Sequence, residues 1–198
     1  MDSQIERVIN NLYLIESICL KLVSEIPSFE IASEKALPYG LKPHTRSVSW
    51  LVEQVLVQSL KQNASKLGIS NVDYDLPDTA LHDLSVTSGS QKLLINIKTH
   101  QVENRQNKND ISAVEKLFNA YKSDSAYDLY YVAFGIKFSK RSIIFPESSV
   151  HCFSPQFLPI YVNPRNDKIQ AYYHHDPTFR SRKDFLKELS ERSTSISL

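Results

Sequence analysis

The chain has 198 residues, 41% hydrophobic and 23% charged, with a formal net charge of +1. That length suits one domain with a sizeable core, and the balanced charge excludes a global pull toward nucleic acid or anionic lipid, leaving only local patches to bind either. Four glycines and no Walker or dinucleotide fingerprint exclude a glycine-rich phosphate loop; the absence of a signal-like segment and of any apolar run of about 18 residues points to a cytosolic protein.

Ile5, Val8, Ile9, Leu12, Ile15, Ile18, Cys19 and Leu22 recur at helical spacing and predict an amphipathic helix over 4–25. The stretch "EIPSFEIASEKALPYGLKPH" reads as a long connection. A second helix is expected from Thr45 to Leu67, ended by Gly68, apolar on most sides, with Trp50 in the core and Glu53 at its middle. "NVDYDLPD" is a weak strand; "ALHDLSVT" and "QKLLINIK" are stronger strands joined by "SGS". "QVENRQNKND" is polar and aperiodic, and residues 110–123 read as a helix capped by Asp110 or Ser112. "YDLYYVAFGIKF" is a buried central strand, followed by strands at "RSIIFP", "FLPIYV" and "KIQAYYHH" and a helix over 181–192. The order of elements gives a mixed α/β domain. Cys19 and Cys152 match no metal spacing and read as buried thiols in a reducing compartment.

"KLLINIKTH" carries the chemistry. Alternation puts Leu93, Ile95 and Ile97 on one face and Leu94, Asn96 and Lys98 on the other. The "SGS" turn centres near Gly89, so Asp83, six residues before it, comes beside Asn96, seven after. Glu53 is the other carboxylate in an apolar setting. An acid, an amide, a lysine and a helix glutamate then converge at one sheet end, and their oxygens are the hard ligands that Mg²⁺ prefers.

An Asp, a hairpin and then acid-x-Lys is the pattern of the PD-(D/E)XK nucleases. "DTALHDLSVTSGSQKLLINIKT" resembles, in spacing, the blunt-cutting type II restriction endonucleases of the HincII and EcoRV kind. "LVEQVLVQSL" resembles the catalytic-helix segment of the HincII kind, "NDISA" the start of the helix after the active-site strand, and "KIQAYYHH" with "RSRKDFLKEL" the late strand and C-terminal helix. The resemblance covers roughly residues 45–190. It implies a restriction-endonuclease-like core, a mixed β-sheet flanked by helices. One nuclease domain over 1–198 follows, with an N-terminal helical part to about 40, a catalytic core over about 45–140 and a recognition and C-terminal part over about 141–198.

By that resemblance Asp83 is a metal-binding acid, Lys98 the catalytic lysine, and Asn96 stands where the second acid usually is, with the Ile97 carbonyl completing a Mg²⁺ site and Glu53 assisting. Asn96 departs from the family pattern; it is either one of the superfamily's natural amide variants or an introduced, inactivating substitution. Asp78 of the literal Pro77-Asp78 is the rival first acid, with Asp83 preferred for its hairpin spacing. Base edges and phosphates call for amides and cations, and two stretches supply them: His100, Gln101, Asn104, Arg105, Gln106, Asn107, Lys108 and Asn109 after the catalytic strand, and Asn163, Arg165, Asn166, Lys168 and Gln170 in the later loop. "KPHTR" is a further phosphate candidate. The resemblance implies a Mg²⁺-dependent enzyme of the prokaryotic cytoplasm, cutting double-stranded DNA as a homodimer, without membrane or small-molecule cofactor. A cleavage-deficient DNA-binding protein and a non-specific processing nuclease are the alternatives. The bland readings are a solvated Lys98, a Glu53–Arg46 ion pair, structural His174 and His175, and Tyr172 and Tyr173 packing in a sheet.

Overall fold

The computed structural model describes residues 3–42, 44–77, 80–103, 108–172 and 175–192. Its centre is a mixed sheet. Strand β6 (Leu129–Ser139) lies parallel to β4 (Gln91–Gln101), and β4 pairs antiparallel with β3 (Leu84–Ser88), which pairs with β2 (Asn71–Asp73). On its other side β6 pairs with β7 (Ser142–Ile144) and β8 (Val150–Phe153), and β7 with β1 (Ser28–Glu30).

Alternation along the central strands feeds two cores, one on each face. Leu93, Ile95 and Ile97 of β4, with Tyr130, Val132, Phe134 and Ile136 of β6, enter the first core, beneath α1 (Ser3–Glu25) and α2 (Thr45–Gln62). Leu129 and Tyr131 enter the second, where Leu94 packs against them, beneath α3 (Val114–Ser123), α4 (Arg182–Arg192) and a small sheet of β5 (Lys108–Ala113), β10 (Lys168–Tyr172) and β9 (Tyr161–Asn163). Residues Leu129–Ile136 are buried without a break, as expected of a strand covered on both faces. Ile15 and Leu22 on the inner stripe of α1 are fully buried, each contributing about 1.5–3 kcal/mol. α1 crosses β8, where the Cys19 and Cys152 thiols meet; that contact and burial push the Cys152 thiol well above its ordinary range.

Several elements differ from the expectation. α2 stops at Gln62, because the Asn63 side chain donates to the Ser59 carbonyl and ties off the last turn; the turns that follow end at Gly68, whose φ is +72°. α2 is also one-sided, burying Val48, Val52, Leu56, Val57 and Leu60, and Trp50 is 70% exposed rather than core. Residues 108–113 form a strand, because β10 pairs with them; α3 starts at Val114, with Ala113 as an N-cap that makes no side-chain bond. β8 was not expected, nor was β1 inside the stretch read as a connection, where pairing with β7 makes Ser28–Glu30 a strand; of "FLPIYV", Phe157 ends a 3-10 turn that starts at Pro155, and the strand begins only at Tyr161. Among the described residues no helix is long and apolar enough to cross a membrane.

Candidate active site

The hairpin of β3 and β4 turns at Gly89, with φ +57°, and Ser88 faces Gln91. Leu84 faces Ile95, and the same antiparallel register brings Asp83 opposite Asn96, as the spacing predicted. β3 begins only at Leu84, while β4 runs on to Gln101. Beyond Asn96, therefore, one edge of β4 has no strand paired with it. The Asp83 carboxylate fills the first vacancy in the ladder: its Oδ2 accepts the Ile97 N–H at 2.7 Å. In a strand the N–H and C=O of one residue point to the same edge, so the Ile97 carbonyl faces that open edge as well.

Asn96 completes the arrangement. Its Nδ2 donates to Asp83 Oδ1 at 3.1 Å and to the Leu81 carbonyl at 3.1 Å. Both partners are acceptors, so the amide orientation is fixed by chemistry. The Oδ1 atom is then left buried with no hydrogen-bond partner. An orphaned oxygen of this kind normally costs stability and suits a hard cation. The Asp83 carboxylate, the Asn96 Oδ1 and the Ile97 carbonyl are all oxygen donors of the class that Mg²⁺ takes. No cluster of three acidic, His or Cys side chains able to hold a metal occurs among the described residues, so the set depends on the amide and the main chain.

Lys98 and Ile97 line a cleft of about 660 Å³, with Glu53 and Ser49 of α2 on the opposite wall. Ile97 is a core side chain, so it reaches the cleft through its main chain; Asp83 and Asn96 sit behind that wall. A 2.9 Å bond between the Ser49 and Thr99 hydroxyls clamps α2 to β4 and sets Glu53 one turn further on. The Lys98 ammonium lies 5.6 Å from the Tyr131 ring centre.

Burial dominates the electrostatics. It lowers the pKa of Lys98, against the pull of Asp83 and Glu53, and nearby Lys168 lowers it further. Burial raises Asp83, outweighing Lys98 and the Ile97 N–H. Burial, then Asp83, raise Glu53, with Lys98 opposing. A desolvated acid and a desolvated lysine in the cleft, with a second desolvated acid behind its wall, mark a candidate reactive site.

His44, Thr45 and Arg46 at the start of α2 line the same cleft, as do Gln101, Lys108 and Asn109. His100 also reaches it but is 8% exposed, its ring 5.6 Å from that of His151, which makes it part of the sheet packing. Asn104, Arg105, Gln106, Asn107, the rival acid Asp78, Tyr173 and His174 lie outside the described residues. His175 stacks on Tyr172 at 5.2 Å. In the β9–β10 hairpin Arg165 and Lys168 are exposed, whereas the amides of Asn163, Asn166 and Gln170 all donate to Asp110. Nothing in the sequence gave Asp110 this position, because its partners lie 53–60 residues away. A second cavity, about 330 Å³ between α1 and β8, is lined mainly by apolar side chains, with Glu16 as its one carboxylate and no lysine.

No family model matches the chain, and no curated protein does. Among solved structures it is similar to NlaIV restriction endonuclease, with a TM-score of 0.53 and 14% identity over 76% of this chain and 65% of that one. The match thus spans slightly less than two thirds of that protein's length. At such identity the likeness concerns architecture: the chain has a mixed α/β, restriction-endonuclease-like fold.

Proposed function

We propose that the chain is a Mg²⁺-dependent nuclease of the type II restriction kind, hydrolysing phosphodiester bonds of duplex DNA at a short specific sequence. One observation carries the reading: at a single open strand edge the Asp83 carboxylate, the orphaned Asn96 Oδ1 and the Ile97 main chain stand beside a desolvated Lys98. The restriction-endonuclease-like fold supports it.

Asp83, Asn96 and the Ile97 carbonyl would hold Mg²⁺, which supplies positive charge beside the scissile phosphate. Lys98 stabilises the charge that develops on the reacting phosphate, and its desolvation strengthens that interaction. Glu53, across the cleft and with its pKa raised above the ordinary carboxylate value by burial and by Asp83, holds the attacking water and accepts its proton. Arg46, Lys108 and Lys168 meet backbone phosphates, and the β9–β10 hairpin reads base edges. Two copies related by a twofold axis bring two sites to the two strands, matching a palindromic sequence. The kinship is drawn most closely to the HincII kind, on the motif order of the sequence.

Asn96 favours a second reading, a DNA-binding protein that has lost cleavage, because the site carries one negative charge fewer than a pair of acids. Incubating supercoiled plasmid with the protein and Mg²⁺ separates the cases. Discrete fragments support the proposal, a smear indicates a non-specific nuclease, and sequence-selective binding without cutting indicates the cleavage-deficient form.

A further inference from the structure

Asp110 sits on β5 directly opposite Gln170 of β10. Its Oδ1 accepts Gln170 Nε2 at 2.8 Å, and its Oδ2 accepts Asn166 Nδ2 at 2.8 Å and Asn163 Nδ2 at 3.2 Å. Three amides from one hairpin thus converge on one carboxylate of a neighbouring strand. A carboxylate only accepts, so each amide must turn its nitrogen inward. The amide oxygens are used too: Asn163 Oδ1 takes the Arg165 N–H, Asn166 Oδ1 the Lys168 N–H and Gln170 Oε1 the Tyr172 hydroxyl. What each amide has left is its second N–H, together with one lone pair on an oxygen whose other lone pair is already bonded. Arg165 and Lys168, exposed on the same hairpin, are donors as well. The three hydrogen bonds and Lys168 hold the Asp110 carboxyl below its ordinary range against the effect of burial, so the acceptor stays charged.

Resting on the reading of the chain as a sequence-specific nuclease, we infer that Asp110 is a positioning residue for specificity: it fixes Asn163, Asn166 and Gln170 as an array of donors that selects acceptor-rich base edges, above all guanine N7 and O6 in the major groove. In that groove adenine and cytosine each present an amino donor, whereas guanine presents two adjacent acceptors. A freely rotating Asn or Gln turns both atoms to adenine; an amide pinned by Asp110 holds its N–H in one direction with its oxygen already tied to the hairpin, which favours an acceptor edge. Phosphate oxygens are acceptors too, so the experiment separates bases from backbone.

Fragment ends from digestion of a genome of known sequence give the cleaved motif. Rates are then compared on the best site, on its single-base variants and on the site carrying 7-deazaguanine, for the parent and for Asp110→Asn. The expected motif contains guanine, and 7-deazaguanine at that position slows the parent about tenfold or more. Asp110→Asn lowers the ratio of best site to variant by a similar factor at that base pair, while the poorest variants are cut as before. Asn166→Ser, at an exposed side chain, gives the same loss at one base pair should Asp110→Asn not fold. Indifference to 7-deazaguanine, or an equal loss on every sequence for both variants, overturns the inference and leaves the nuclease reading standing. A parent that cuts no DNA overturns both.

Discussion

Replacing Asn96 by Asp probes the site through forces already visible in it. The Asn96 amide nitrogen makes two hydrogen bonds of 3.1 Å, one to the Asp83 carboxylate and one to the Leu81 carbonyl. Asn96→Asp converts both into contacts between acceptors, in a place only 7% exposed. Two lost bonds at about 1 kcal/mol each, plus the repulsion of two desolvated carboxylates, come to about 3 kcal/mol. For a chain of this length that lowers the metal-free Tm by about 6–12 °C. At the proposed metal site Mg²⁺ reverses the balance, because the added charge would lie among its ligands. Tenfold tighter binding, about 1.4 kcal/mol, raises Tm by about 3–6 °C more in the variant than in the parent at saturating ion. Calorimetric melts of both forms, in EDTA and in Mg²⁺, measure each term. Equal melting temperatures in EDTA, or equal Mg²⁺ increments, would refute the reasoning and remove Asn96 from the metal site.

Asp83 and Glu53 have raised pKa values, so on acidification each takes up its proton earlier than an ordinary carboxyl. The acid limb of kcat/KM therefore lies above the usual carboxylate range near about 4 and moves down as Mg²⁺ displaces the proton from Asp83; a limb at ordinary values, indifferent to Mg²⁺, speaks against both assignments. Lys108→Ala should weaken binding to all duplexes alike and reduce the slope of log K against log salt by about 1, measured by fluorescence anisotropy; an unchanged slope means that Lys108 meets no phosphate. Asp128 is 7% exposed and takes both Arg7, at 2.7 Å, and Arg182, at 3.1 Å; Arg7 reaches solvent and Arg182 keeps the Tyr121, Asp124 and Tyr127 carbonyls, so Asp128→Ala should cost about 1–2 kcal/mol of stability in urea melts, with a loss within a few tenths showing that the ion pairs are idle.

The hairpin was legible in the sequence because a two-residue turn fixes a register: once Gly89 marks the bend, Asp83 and Asn96 have to meet. The central strand was legible because an unbroken apolar run from Leu129 to Ile136 has few other uses. What failed depended on distant partners. Residues 108–113 carry Ile111 and polar neighbours in a pattern that reads equally as a helical turn, and only pairing with β10, more than fifty residues on, makes them a strand. Trp50 matched the apolar stripe of α2 in composition, but the helix buries only one side, and the indole falls off it. The loop amides were legible as polar, whereas their capture by Asp110 turns on three contacts between segments that local patterning does not connect.

Single-turnover cleavage of duplex DNA by the parent and by Lys98→Ala, each with its DNA affinity measured in parallel, bears most directly on the account. Lys98 faces the cleft and is not part of the Asp83–Asn96 hydrogen-bond network, so its removal should leave fold and binding nearly intact, the latter being spread over many phosphate contacts. The predicted result is cutting at discrete sites by the parent with Mg²⁺, none in EDTA, and a loss of several orders of magnitude for Lys98→Ala at unchanged affinity. A folded Lys98→Ala protein that cuts within a few-fold of the parental rate would contradict the account.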